Sequence, residues 1–125
     1  MPRQKAIVPI WLELPEEHDY PAAASYLSLT QPSKKVAKVV EALRKVKVSQ
    51  FKAKDIFRAS ELSLLGVSNS HVEKDRKKIV KGVPLSPLLL VRSPELGRVI
   101  IADGYHRLCA VYGINEDALI PCKIV

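Results

Sequence analysis

Apolar residues recur at Val36, Val39, Val40, Leu43 and Val46, the three-and-four spacing of one helix face. Ser33 stands where an N-cap would, so a helix is predicted to begin there. Lys34, Lys35, Lys38, Arg44 and Lys45 fall largely off the apolar stripe, which gives that helix a basic outer face. Residues 48–56 then alternate, Val48, Gln50, Lys52 and Lys54 against Phe51, Ala53 and Asp55, and predict a strand whose phase breaks at Ile56. Residues 58–70 are irregular, with Gly66 and Ser68-Asn69-Ser70 as turn chemistry. Ser70-His71-Val72-Glu73 matches a capping box, so a helix is predicted from near His71 through Ile79 and Val80, stopped at Gly82. Leu88-Leu89-Leu90-Val91 and Arg98-Val99-Ile100-Ile101-Ala102 read as two strands around the turn Pro94-Glu95-Leu96-Gly97, an antiparallel hairpin. Asp103-Gly104 breaks the second strand, 105–112 reads as a helix stopped by Gly113, and 121–125 as a closing strand.

The first third is patterned differently. Pro2, Pro9, Pro15, Pro21 and Pro32 forbid long elements there, since proline removes a donor and fixes φ. Ile7-Val8-Pro9-Ile10-Trp11-Leu12 is predicted to pack on the core as an extended arm, and Pro21 to open a short helix over 22–27. The order of elements predicts one mixed α/β (α+β) domain. Residues 1–48 form its arm and amphipathic helix, and 49–125 its sheet-bearing part.

Composition narrows the setting. At 125 residues the chain is one domain's length. Cys109 and Cys122 form no C-x-x-C pair and are expected as small buried hydrophobes rather than a disulfide framework. No leader or membrane-length apolar run occurs, so a cytoplasmic protein without membrane association is expected. The net charge of +7 is concentrated: residues 34–58 hold nine Lys and Arg against Glu41 and Asp55. Lys34, Lys35, Lys38, Arg44, Lys52, Lys54 and Arg58 are thus candidate contacts to a nucleic-acid backbone. The other reading of the same residues is a solvated face that keeps the protein soluble.

The chemistry concentrates at Ala102-Asp103-Gly104-Tyr105-His106-Arg107. A buried strand ends and a helix begins within two residues, and the helix's first N–H groups lack internal partners. Gly104 leaves the backbone open to a ligand, Arg107 adds a charged fork and His106 a further donor, a set suited to phosphate. Asp103 could accept a proton from a hydroxyl or hold a metal ion; equally it could be an N-cap, paired with Arg107. Tyr105 could stack on a base or pack in the core. His18-Asp19, beside Glu16 and Glu17, matches no standard metal spacing and reads as surface loop, so no metal site is expected there. His71 is expected in the capping turn of its helix.

The stretch from Gly82-Val83-Pro84 to Val91, then Val99-Ile100-Ile101-Ala102-Asp103-Gly104-Tyr105-His106-Arg107, then Ile120-Pro121-Cys122-Lys123-Ile124-Val125, resembles the ParB/sulfiredoxin superfamily, roughly over 51–125. The whole chain is also similar to small bacterial proteins sharing the segments Asp19-Tyr20-Pro21-Ala22-Ala23 and Ala102 to Arg107. ParB partition proteins have Gly-Glu-Arg-Arg at this turn and bind CTP phosphates there; Gly104 and Arg107 match, Tyr105 and His106 do not. Sulfiredoxins have a nucleophilic Cys where this chain has Tyr105, so sulfiredoxin activity is not expected. Free-serine kinases, with Asp-Gly-His-His-Arg, agree at Asp103, Gly104, His106 and Arg107. That resemblance implies a nucleoside di- or triphosphate, with Mg²⁺, held by Gly104, Tyr105, His106 and Arg107. It also implies a catalytic Asp103 and a second acidic residue, for which Glu61 is the nearest candidate. The expected function is binding of a nucleotide or similar phosphorylated ligand, with phosphoryl transfer to, or hydrolysis for, a small molecule. The alternatives are a non-catalytic DNA-associated module using 34–58, and an interaction domain with a vestigial pocket. The oligomeric state is left open, a dimer included.

Overall fold

The computed structural model describes residues 7–125. Its elements are α1 (Asp19–Leu27), α2 (Ser33–Lys45), β1 (Ser49–Lys52), α3 (Ala53–Ser60), α4 (Ser70–Val80), β2 (Leu88–Ser93), β3 (Arg98–Asp103), α5 (Tyr105–Ile114) and β4 (Leu119–Ile124). The strands form one mixed sheet in the order β1-β4-β2-β3. β2 is antiparallel to β3 and parallel to β4, and β4 is antiparallel to β1. The α/β class read from the sequence is what the chain forms.

β2 explains the layering. A strand covered on both faces reads as a continuous apolar run, and Leu88, Leu89, Leu90 and Val91 are all buried. Leu88 and Leu90 face a core built with Ala53, Ile56, Val72, Ile79, Leu108 and Val111, from α3, α4 and α5. Leu89 and Val91 face a second core with Tyr20, Ala23, Leu27, Val36 and Leu43, from α1 and α2. The sheet is therefore a middle layer, and α1 and α2 are the helices of its second face. The arm docks as expected: Leu12 N–H donates to the Leu85 carbonyl and Leu85 N–H to that of Ile10, both at 2.8 Å. β4 is fixed to α2 by Lys123, whose buried ammonium donates to the carbonyl of Arg44 at 2.8 Å, near the helix's negative end. Pro121 is tolerated in this interior strand because pairing with β2 begins only at Cys122.

Several boundaries differ from the sequence reading. The strand expected over 48–56 is only β1; α3 replaces its second half. Ala53, Ile56 and Ser60 are the buried residues there, a helical period, and Ile56 was the residue that broke the alternation. α4 is capped by Asn69 rather than opened by Ser70: Asn69 Oδ1 accepts from His71 N–H at 3.0 Å and Val72 N–H at 3.2 Å. α2 takes Pro32 as its N-cap and Ser33 as its first residue, and α5 runs through Gly113 to Ile114. α1 begins at Asp19, ahead of Pro21, and β4 at Leu119.

Both cysteines are buried and unpaired. Burial raises the Cys109 thiol and pushes that of Cys122 up to about 12. Both thiols should resist iodoacetamide at pH 8 in the folded protein and react once it is denatured; rapid native labelling would show an open core. The folded value for Cys122 lies above the usual thiol value of about 8.5. Its contribution to stability is thus complete below that pH and lost as pH rises toward 12.

Candidate functional site

β3 ends at Asp103 and the chain turns through Gly104, φ 110°, into α5. A Cβ on Gly104 would lie 2.6 Å from Leu88 Cγ and 3.0 Å from an Arg107 Nη. The space left by the missing side chain is thus taken by β2 and by Arg107, not by a ligand, a reason for glycine that the sequence reading did not see. Gly104 is also the N-cap of α5, which has no side-chain cap. The capping role considered for Asp103 is not the one it has: its Oδ2 accepts from Arg107 Nη2 at 3.1 Å instead.

The open first turn of α5 faces a cavity of about 180 Å³. Asp103, Gly104, Tyr105, His106 and Arg107 line one side, and His71, Lys74, Asp75 and Lys78 of α4 the other. The His71 and His106 rings pack on each other with centroids 4.9 Å apart and planes tilted by 38°, and Tyr105 lies 5.7 Å from His106. Tyr105 donates its hydroxyl to the Ser63 carbonyl and packs against the core, so it is anchored beneath the pair. Arg107 is mostly buried, and its Nε–H has no partner among the described residues. An orphaned buried donor costs free energy unless something meets it.

Asp103 also has an acidic neighbour. Burial lifts its carboxyl above the usual range, Arg107 draws it down, and the Asp19 carboxylate raises it again; the net direction is upward. Asp19 was read as part of a surface loop, yet it starts α1 and is buried. Its Oδ2 accepts from the Ser86 hydroxyl and from Glu16 N–H. Glu61, the acidic partner suggested by resemblance, stands instead at the end of α3, exposed, and is not among the residues lining the cavity. Glu16, His18 and Asp19 bring one ligand atom each within 4.8 Å of one another. As they stand, His18 Nε2 itself bridges the acids, at 3.2 Å from Glu16 and 3.4 Å from Asp19.

The basic residues of 34–58 are divided. Arg44 pairs with Glu17 at 2.6 Å and lies over the Tyr20 ring, Lys54 and Lys52 meet Asp117 at 2.7 and 3.9 Å, and Arg58 meets Asp55 at 4.0 Å. Lys34, Lys35 and Lys38 are exposed on the first turns of α2, which packs on the other face of the sheet from α4 and α5. None of these seven residues lines the cavity. The cations that do, Lys74 and Lys78, were missed in the sequence, although His71, Lys74 and Lys78 have the spacing of one helix face.

Among the described residues, no helix is long and apolar enough to cross a membrane. The chain matches no family model, no curated protein and no solved structure.

Proposed function

We propose that this domain binds the phosphates of a nucleotide or similar phosphorylated ligand at the first turn of α5, with Asp103 as general base for transfer or hydrolysis of a phosphoryl group. The observation that carries the reading is the convergence of an uncapped helix N-terminus with Lys74, Lys78, Arg107 and two histidines on one small cavity. The helix end supplies free N–H groups and partial positive charge, and the side chains supply full charge. The Asp103-Gly104-x-His106-Arg107 resemblance to phosphate-binding members of the ParB/sulfiredoxin superfamily supports the same reading.

In the proposed step an acceptor oxygen, from water or a small hydroxyl compound, attacks phosphorus as its proton passes to Asp103. The bond to the leaving phosphate breaks, and its electron pair stays on that oxygen, beside Lys74 and Lys78. Mg²⁺ accompanying the nucleotide would be met by Asp75, the other carboxylate of the cavity lining, and would offset phosphate charge.

The test is thermal stability with pyrophosphate, ADP or ATP, each with and without Mg²⁺. Ligand at a hundred times its Kd should add about 2.7 kcal/mol, a clear rise in Tm. Arg107→Ala should weaken pyrophosphate binding about tenfold or more, the value of a charged hydrogen bond. No rise with any of these ligands at millimolar concentration would overturn the reading.

A further inference from the structure

α4 carries Lys74, Lys77 and Lys78, and Lys81 is its C-cap residue, spaced so that all four fall on one side of the helix. Among the described residues none of the four is within ion-pair distance of a carboxylate; the one ion pair within α4 joins Arg76 to Glu73 at 3.6 Å. Like charges one turn apart repel and weaken a helix, which offsets what Lys77 and Lys78 gain from its negative end. The lysines line a groove of about 610 Å³ with Ser70, with Glu73, whose carboxylate is held by Arg76, and with Val67 and Val83 as apolar walls. Lys74 and Lys78 belong to both this groove and the phosphate cavity, so the cationic surface is continuous from Lys81 to the first turn of α5. From His71 to Lys81 the helix rises about 15 Å, more than the phosphates of one mononucleotide need.

At the cavity end the same helix presents a ring. His71 is exposed, packs on His106, and His106 is backed by the anchored Tyr105. A cationic groove that follows a phosphate backbone, next to rings on which bases stack, is the combination that binds single-stranded nucleic acid. An anionic membrane would meet the lysines but has no use for a packed pair of rings inside a concave site.

We propose that the ligand of the phosphate cavity is the terminal nucleotide of a single-stranded nucleic acid. The terminal phosphate sits at the first turn of α5, its base on the His71–His106 pair, and the following phosphates run along Lys74 and Lys78 to Lys77 and Lys81. This rests on the phosphate-binding reading above and gives that ligand a length and a direction.

The experiment measures binding of short single-stranded oligonucleotides bearing a 5′-phosphate, a 3′-phosphate or neither, beside ADP and pyrophosphate. An oligonucleotide phosphorylated at one end should bind at least about tenfold tighter than ADP and than its unphosphorylated form. Its log K should fall with log salt, by about 0.7 per phosphate engaged. Lys77→Glu with Lys81→Glu should cost the oligonucleotide about tenfold or more and leave pyrophosphate unchanged, since neither lysine lines the cavity. If that variant is misfolded by circular dichroism, Lys77→Gln with Lys81→Gln replaces it. Lys34→Glu with Lys38→Glu should change neither ligand. Oligonucleotides binding no tighter than ADP would overturn the inference. So would equal binding with and without the terminal phosphate, indifference to the Lys77 and Lys81 changes, dependence on Lys34 and Lys38, or equal lysine-dependent binding to phosphatidylserine vesicles. Failure of pyrophosphate itself to bind would instead overturn the parent reading.

Discussion

Gly104→Ala is expected to cost about 3 kcal/mol, enough to leave a domain of ordinary stability largely unfolded at modest heating. Two independent costs meet at this residue. Its φ of 110° is one that L side chains rarely adopt, a strain of about 1–2 kcal/mol. The new methyl would also press on Leu88 Cγ at 2.6 Å, and Leu88 is fully buried, so relief means repacking the core, for a further 1–3 kcal/mol. Gly113→Ala supplies the contrast. Gly113 lies within α5 with nothing within 4 Å of its Cβ position, so alanine should stabilise by up to about 1 kcal/mol. Pairing Gly104→Ala with Leu88→Ala should show positive coupling, because the second change makes room for the first. Denaturant titration of the parent, the three single variants and the double variant measures these effects. A Gly104→Ala protein as stable as the parent would mean that the turn is not built as described.

Asp103→Asn is expected to reduce turnover about 10²-fold while leaving pyrophosphate affinity within a few fold. The change is nearly isosteric and removes no helix cap, since Gly104 holds that position; what it removes is the proton acceptor. The pH dependence has a definite sign. Burial first, then the neighbouring Asp19, raises the Asp103 carboxyl despite the pull of Arg107. Its contribution to stability is therefore complete below the unfolded value of about 3.9 and is lost as pH rises through the higher folded value. Over that same rise the carboxylate, the form that accepts a proton, accumulates. Wild-type turnover should climb with pH while stability declines, and Asp103→Asn should flatten the stability profile in that window. Asp19→Asn should move the acid limb of turnover to lower pH, because one raising influence is gone. Full activity in Asp103→Asn would end the case for this residue as the base.

The parts legible in the sequence are those in which local pattern and burial agree. The run Leu88-Leu89-Leu90-Val91 was legible as a strand, and the break at Asp103-Gly104 as the place where β3 gives way to a helix; that β2 is covered on both faces appears only in the two cores it joins. The basic spacing on α4 was equally visible, but a row of lysines on a helix reads as a solvent face until a second element is known to oppose it. Here that element is α5, packed beside it. Asp19 was hidden for a related reason. Its neighbours Glu16, Glu17 and His18 are exposed, and only the long-range hydrogen bond from Ser86 shows that its own side chain points inward. The error over α3 was local: four residues of alternation preceded a helical period too short to stand out.

The strand order carries a consequence for how the domain assembles. β4, after all the other strands in the chain, lies between β1 and β2, and β1 has no other partner in the sheet. The β2–β3 hairpin closes over a short turn and can form early, whereas β1 can join only when β4 has closed a long loop back to it. That non-local step raises the contact order of the whole domain and should set its folding rate. The turn at Gly104 lies between the early hairpin and the late strand. Its strand side can be in place at the start of folding, while the core around the helix that opens from it is complete only when Ile120 and Cys122 of β4 arrive.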